Sequence, residues 1–334
     1  MFIPSSYLLA VVLCIITMLC WGSWANTQKM ASKSWGFPLF YWDYVIGIVL
    51  LTLVFGFTLG SSGTEGRPFL EDLGQARQQT YLSAFLGGVI FNLANLLIVA
   101  AIAVAGMAVA FPVGIGIALV LGVVVNYIAN PVGDPLWLFL GVLLVVIAII
   151  LDAVIYKRLP NQQASSTAKG LLLSIAGGVL MGFFFRFVAA STSTDFVNPE
   201  AGLFTPYAAV FVFSLGIFAS NFLWNTWFMY KPVEGNKVTY KDYFKLGTLK
   251  LHVIGILGGI IWGIGMSLSL IASEKAGFAI SYGLGQGATM VAAAWGVFIW
   301  KEFKTAPKGT NPLIALMFLL FVLGLGIIVY SRTG

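Results

Sequence analysis

Long apolar runs separated by short polar segments dominate the chain. Ten of these runs come close to the roughly 20 residues that a membrane-spanning helix needs. The polar stretch 159–169 lies between the fifth and sixth runs and predicts a linker between two five-helix units, residues 1–158 and 170–334. The predicted helices are Ser6–Asn26, Phe37–Gly60, Tyr81–Val104, Ala108–Ile128, Pro135–Tyr156, Gly170–Ala190, Phe204–Tyr230, Leu251–Ala272, Gly277–Ile299 and Pro312–Tyr330.

A glycine pattern occurs twice at a constant offset of 171 residues. Leu86–Ile128 aligns with Leu257–Ile299 without a gap, and five glycines of the first stretch fall on glycines of the second. Five helices per unit is an odd number, so the second unit enters the membrane upside down relative to the first. The pattern therefore predicts an all-α integral membrane protein of ten helices, built as two inverted-topology repeats.

Composition supports a membrane location and argues against several other classes. The chain is 59% hydrophobic and 9% charged, whereas soluble domains carry about 25% charged residues. The net charge of +6 does not indicate nucleic-acid binding, because the basic residues lie in loops between apolar runs. Thirteen of the 18 follow odd-numbered helices, which predicts a cytoplasmic linker and two non-cytoplasmic termini in the cell (inner) membrane.

Catalytic and metal-binding patterns are not apparent in the sequence. Neither a nucleotide-binding glycine-lysine loop, nor a Ser/His/Asp arrangement, nor metal-spaced ligands can be found. The two cysteines, six residues apart in the first helix, suggest neither a disulfide framework nor a metal site. We predict no enzyme activity, no cofactor and no metal, in a monomer or homodimer.

Four short motifs carry a resemblance to known transporters. They are Cys20-Trp21-Gly22-Ser23-Trp24, Tyr41-Trp42-Asp43-Tyr44, Gly87-Gly88 followed by Asn92-Leu93-Ala94-Asn95, and Trp295-Gly296 followed by Lys301-Glu302-Phe303. With these motifs the chain resembles the drug/metabolite transporter superfamily, and within it the glucose/ribose porter group and the ureide permeases. The resemblance implies ten helices in two inverted halves and a transport function, with sugars, ureides and nucleobase-like compounds among the substrates of relatives.

Two charged residues inside predicted helices are candidates for function, because charges in hydrocarbon are costly. Asp43 is a candidate for proton coupling, and the alternative is an acid at the membrane interface among aromatic residues. Arg186 is a candidate to bind an anionic or carbonyl-bearing substrate, and the alternatives are pairing with an acid or snorkelling to the interface. We interpret Asp152 as a solvated helix-end acid and His252, the sole histidine, as interfacial.

Amide and aromatic side chains complete the candidate pocket. Asn92 and Asn95 share a helix face, as do Asn221 and Asn225, and their amides suit either a polar substrate or interhelical hydrogen bonds. Aromatic faces stack on sugars and on flat heterocycles, and an amide can orient them. The predicted substrate-binding residues are Trp24, Asn92, Asn95, Arg186, Asn225, Trp262, Tyr282 and Gln286.

These observations predict a secondary transporter for a small polar solute that works by alternating access. A sugar is the first choice of substrate, with proton symport as the coupling. The alternatives are a ureide, nucleobase or nucleoside permease, a metabolite or drug exporter, and, outside transport, a membrane enzyme or scaffold.

Overall fold

A computed structural model describes residues 1–31, 35–159, 168–233 and 235–334. Within these ranges the chain is helical without a β-strand, and nine helices are long and apolar enough to cross a membrane. The helices are α1 (Tyr7–Ser23), α2 (Ala25–Ala31), α3 (Phe37–Phe57), α4 (Phe69–Gln75), α5 (Gln78–Ala105), α6 (Met107–Ala110), α7 (Gly116–Ala129), α8 (Pro135–Lys157), α9 (Ala168–Ala190), α10 (Pro206–Tyr230), α11 (Tyr240–Leu246), α12 (Leu249–Ala276), α13 (Phe278–Gly285), α14 (Ala288–Ala294) and α15 (Thr310–Tyr330).

The predicted ninth helix, Gly277–Ile299, is not continuous. It divides into α13, α14 and a final π-helical turn, with Gln286 and Gly287 between the first two pieces. At this break the Gly287 N–H donates to the Leu284 carbonyl, which is one residue short of the α-helical spacing. Two glycines permit the break and a close approach of α1, since a Cβ at Gly285 or Gly287 would come within 2.8 Å of α1 side chains.

The predicted fourth helix also changes geometry along its length. Phe111–Ile115 forms a π-helical turn between α6 and α7. Pro112 lies in this turn and has no N–H to donate, which disfavours regular α-helix there. The predicted linker falls largely on residues 160–167, outside the described residues, so the division at 159–169 stays a prediction.

The bundle has two ends that the loops distinguish. At the terminal end, the Asp134 N–H donates to the Ser331 carbonyl, and the Met1 amino group donates to the Glu65 carbonyl. At the opposite end, which we call the linker end, Tyr156 donates to Glu302 next to the start of the linker. The two chain termini therefore lie on the same side of the bundle.

Two similar glycine contacts occur outside the segments that align at the 171-residue offset. A Cβ at Gly47 of α3 would lie 2.2 Å from the Ile256 carbonyl oxygen of α12. A Cβ at Gly216 of α10 would lie 2.1 Å from the Phe85 carbonyl oxygen of α5. The α3–α12 pair thus repeats as the α10–α5 pair, with the glycines 169 residues apart and their partners 171.

Contacts along the helices also give their relative directions. Asn225 and Ser214 of α10 bond to Pro38 and Thr52 of α3, respectively, so that α3 and α10 run antiparallel. Helices α8 and α15 are antiparallel as well: the Trp137 and Tyr330 rings meet edge to face, while Gly141 and Gly324 approach each other's carbonyl oxygens. Both helix pairs are therefore antiparallel, as the predicted inversion requires, and the inverted repeat itself stays a prediction.

Substituting alanine for glycine at Gly88 and at its repeat counterpart Gly259 should destabilise the protein at both positions. The added Cβ would lie 2.0 Å from the Phe213 carbonyl oxygen and 1.9 Å from the Tyr44 carbonyl oxygen, respectively. Overpacking of this kind costs about 1–3 kcal/mol, and thermal unfolding of the purified protein in detergent would measure it. Gly116→Ala is the matched control, because nothing lies within 4 Å of its Cβ position. Equal unfolding temperatures for all three variants would contradict the packing described.

Candidate functional site

An aromatic cluster fills the centre of the bundle around Trp262 of α12. Its ring centroid lies 4.4 Å from that of Phe91, 5.9 Å from that of Trp21, 6.2 Å from that of Phe213 and 6.4 Å from that of Tyr44. Phe91 and Trp262 are counterparts at the 171-residue offset. The cluster therefore brings α5 and α12 together at positions that correspond in the predicted repeat.

The two other aromatic residues predicted for the pocket extend the cluster in different directions. The Trp24 ring packs 4.8 Å from the Tyr44 ring, towards the linker end. Tyr282 packs against Phe184 and Phe185, and its hydroxyl donates to the carbonyl oxygens of Ala118 and Met181. Tyr282 therefore ties α13 to α7 and α9, and its hydroxyl already has protein partners.

Several buried polar atoms near the cluster lack a hydrogen-bond partner among the described residues. Both amide atoms of Asn221 are unpartnered, although its side chain is 0% exposed. The same holds for the Tyr44 hydroxyl and for Asn92 Oδ1. Buried polar groups in native proteins are nearly always paired, since an unpaired one costs about 1–3 kcal/mol. These atoms on α3, α5 and α10 are therefore candidates to bind a substrate.

The remaining predicted amides are placed differently from one another. Asn92 Nδ2 donates to the Ile217 carbonyl and to Ser220 of α10, so part of this amide serves helix packing. Asn95 donates to the Tyr41 hydroxyl, and Asn225 donates to the Pro38 carbonyl while its Oδ1 is unpartnered in the described chain. Gln286 lies at the break between α13 and α14, where it is 9% exposed.

Asp43 is the centre of a four-residue polar cluster near the linker end. Its carboxylate is 1% exposed and accepts from Trp35 Nε1 at 3.2 Å and from the Tyr243 hydroxyl. His252 Nδ1 lies 2.9 Å and 3.0 Å from its two oxygens. The cluster joins α3, α11 and α12. Because the Asp43 carboxylate is buried, it is not a solvated acid at the membrane interface.

One expectation for an individual residue is wrong, and another gains a contact. His252 lies half-buried at the start of α12, and its ring contacts Asp43, Trp35 and Tyr243. Asp152 is not solvated at the helix end, since it is 95% buried within α8. The sequence contains no local signal for the His252–Asp43 contact, which joins residues 209 positions apart.

Glycines and a short helix build the Asp43 cluster. A Cβ at Gly255 would lie 2.4 Å from Asp43 Cβ, and a Cβ at Gly247 would lie 2.3 Å from His252 Nε2, so both glycines make room for the contact. Tyr243 belongs to α11, outside the membrane-spanning helices. The pKa of its hydroxyl is raised, mainly by burial and secondly by its hydrogen bond to Asp43. Tyr243 therefore stays protonated and donates to the carboxylate.

Arg186 does not join the other predicted site residues. It lies near the terminal end of α9 and lines a cavity of about 150 Å³ that also contacts Asn126, Asn130 and Phe278. The structure thus divides the single predicted pocket into three places: the central aromatic and amide cluster, the Asp43 cluster and the Arg186 cavity.

Polar contacts between loops and short helices occur at both ends of the bundle. At the terminal end, Arg67 pairs with Asp72 at 2.7 Å and also donates to the carbonyl oxygens of Pro199 and Leu203. At the linker end, Lys29 pairs with Glu302 at 2.7 Å. These contacts tie the loops and short helices together at each end of the bundle.

A bundle of spanning helices with unpartnered polar atoms buried inside it is typical of membrane transporters. The ureide permease family model matches residues 40–169 and 157–331. The chain therefore belongs to the ureide permease family, whose members are transporters and not enzymes.

Curated relatives match over nearly their whole length. Ureide permease 1 of Arabidopsis thaliana is 22% identical over 379 residues, covering 96% of each chain. Ureide permease 4 of the same plant is 23% identical and covers 99% of each chain. Probable ureide permease A3 of Vigna unguiculata is 24% identical over 90% of this chain and 97% of its own. A crystal structure with a TM-score of 0.60 and 15% identity covers 97% of both chains and shows likeness of fold alone.

Proposed function

We propose that this protein is a proton-coupled secondary transporter that takes up a small ureide. The observation that carries the proposal is the set of buried, unpartnered amide and hydroxyl groups on Asn221, Asn92 and Tyr44, on three helices that also carry rings of the Trp262 aromatic cluster. An amide offers both a donor and an acceptor, which matches the N–H and carbonyl groups of a ureide. Flat aromatic rings match its planar shape.

The substrate class changes from the sugar of the sequence prediction to its ureide alternative. Aromatic faces serve both substrates, so the rings alone do not separate them. The names of the relatives favour a ureide, and the paired donor and acceptor of Asn221 also favour a planar amide-like group. Membership of the drug/metabolite transporter superfamily is part of the proposal and is supported by the ten apolar runs that the sequence predicts to be helices.

Alternating access follows in this proposal from two inverted repeats that move about the central cluster. The antiparallel α3 and α10 support the inversion, as does the repeated glycine contact of Gly47 and Gly216. We place the linker end in the cytoplasm because the basic loops lie there, which leaves both termini outside. Closing contacts at the two ends would then open in turn.

Proton coupling is assigned to Asp43 with His252 and Tyr243. A coupling acid must change its contacts when it gains a proton. Protonation of Asp43 would remove the negative charge that holds His252 of α12 and Tyr243 of α11. Proton binding is thereby linked to the packing of three elements at the linker end.

A thermal-shift series on the purified protein tests the substrate class. Hydantoin, a cyclic ureide, is expected to raise the unfolding temperature in a concentration-dependent manner, because a ligand that binds only the folded state stabilises it. Glucose, ribose and uridine at the same concentrations serve as comparisons. Stabilisation by a sugar without any effect of hydantoin would contradict the proposed substrate.

A further inference from the structure

The Arg186 cavity at the terminal end contains polar groups that the central site does not use. It is bounded by the end of α7, the end of α9 and the start of α13, and it measures about 150 Å³. Arg186 makes no ion pair or hydrogen bond within the described ranges, although it is half-buried at the end of a spanning helix. A guanidinium group presents a rigid fork of donors that suits carbonyl and carboxylate oxygens.

Asn126 supplies a buried acceptor on the wall of the same cavity. Its side chain is 1% exposed, and its Nδ2 donates to the Gly122 carbonyl at 2.8 Å. This bond fixes the orientation of the amide, since only the nitrogen can donate to a carbonyl. Asn126 Oδ1 is left without a partner among the described residues, and it calls for an N–H or O–H donor.

The nearest acidic residue in the sequence is not positioned to neutralise Arg186. Asp195 follows Thr194, which lines the cavity, but its Oδ1 accepts from the backbone N–H groups of Val197 and Asn198 at 2.9 Å each. The N–H donors of the Arg186 guanidinium are therefore available to a ligand.

We infer that this cavity is a second, outer binding site, in which Arg186 binds a carbonyl or carboxylate oxygen of a ureido compound and Asn126 Oδ1 accepts from its N–H. A ureido group carries both functions on adjacent atoms, whereas a simple anion satisfies only Arg186. The inference rests on the proposed ureide transport and adds a place where the substrate binds before it reaches the centre.

Tyr282 separates the outer cavity from the central cluster. Phe278 lines the cavity and lies one helical turn before Tyr282 on α13. A Cβ at Gly122, whose carbonyl holds Asn126, would lie 2.1 Å from the Tyr282 ring, so the ring fills this position on α7. On its other side the Tyr282 ring packs against Phe184, which contacts Phe91 of the central cluster.

Equilibrium binding and uptake by the full-length protein test the outer site. We expect Arg186→Gln to raise the dissociation constant for ureidoacetate by about tenfold or more, since a charge-assisted hydrogen bond is lost. Asn126→Leu should weaken ureidoacetate binding without changing the affinity for acetate, which offers no N–H. Arg186→Lys should restore less than half of the lost free energy, because it keeps the charge but not the fork.

Arg332→Gln is the matched control, since it removes another arginine charge at the terminal end without touching the cavity. In uptake assays the Arg186 and Asn126 variants should raise KM and leave kcat near the wild-type value. Wild-type affinity of both variants for ureidoacetate overturns the outer site and leaves ureide transport standing. Equal binding of acetate and ureidoacetate shows an anion site only and overturns the ureido assignment. Failure of the wild type to bind hydantoin or ureidoacetate overturns both proposals.

Discussion

Asp43→Asn is expected to abolish accumulation of a ureide driven by a pH gradient while it preserves exchange. The amide occupies the same volume and can still contact Tyr243 and Trp35, but it cannot gain or lose the proton that a coupled cycle requires. In proteoliposomes the variant should bring hydantoin only to equal concentrations inside and outside. Counterflow between loaded and unloaded vesicles should continue, because exchange needs no net proton movement.

The Asp43 prediction depends on the cluster that the structure builds around this carboxylate. His252 and Tyr243 come from two other elements and meet at the two oxygens of one buried acid. A purely structural acid would show a different pattern, in which the variant loses exchange and accumulation together through misfolding. Glu71→Gln is the control, since Glu71 is an exposed acid on α4. Normal accumulation by Asp43→Asn would show that the proton is carried elsewhere.

Asn221→Leu is expected to weaken ureide binding by about tenfold to hundredfold, as two hydrogen bonds to the substrate are lost. The same change should leave the unfolding temperature unchanged or raise it. Both amide atoms are buried without a partner in the described part of the chain, so an apolar side chain of similar volume removes a desolvation cost of about 1–3 kcal/mol.

Asn92→Leu provides the comparison that separates binding from packing. Asn92 Nδ2 donates to the Ile217 carbonyl and to Ser220, so this variant should lose stability by about 0.6 kcal/mol for each interhelical contact. Thermal unfolding and hydantoin titration of both variants measure the two effects. A destabilised Asn221→Leu protein with normal ureide affinity would assign Asn221 to packing and remove it from the site.

Hydropathy predicted most of the helix positions, since each apolar run is long enough to cross a bilayer on its own. It did not predict the break at Gln286, because the run from Gly277 to Ile299 is equally apolar on both sides of the break. The close approach of α1 to Gly285 and Gly287 accounts for the break, and that contact joins residues far apart in the sequence. A glycine pair in an apolar segment does not by itself predict a break in the helix.

The match between Gly47 and Gly216 was not predicted from the sequence, because its offset differs from that of the other glycines. Gly47 and Gly216 lie in similar segments, Tyr44-Val45-Ile46-Gly47-Ile48 and Phe213-Ser214-Leu215-Gly216-Ile217, but they are 169 residues apart. The two-residue difference hides them from an alignment at 171. Their equivalence becomes clear only from the carbonyl oxygens that they approach.

Candidate residues were easier to predict than their grouping. Asp43, Arg186 and the asparagines became candidates because polar groups in apolar helices are costly. The contacts that place Arg186 at a separate cavity and His252 beside Asp43 depend on how the helices pack, which local sequence patterns do not show. Asn221 was noted only with Asn225, and its two unpartnered amide atoms became evident from the surrounding helices.

Uphill uptake of hydantoin by wild-type proteoliposomes tests the central claim most directly. With an acidic exterior and a neutral interior, radiolabelled hydantoin should accumulate above its external concentration, and a protonophore should release it. Excess unlabelled ureidoacetate should compete, whereas glucose should not. Accumulation of glucose in place of hydantoin, or hydantoin uptake that never exceeds the external concentration and ignores the pH gradient, would contradict a proton-coupled ureide transporter.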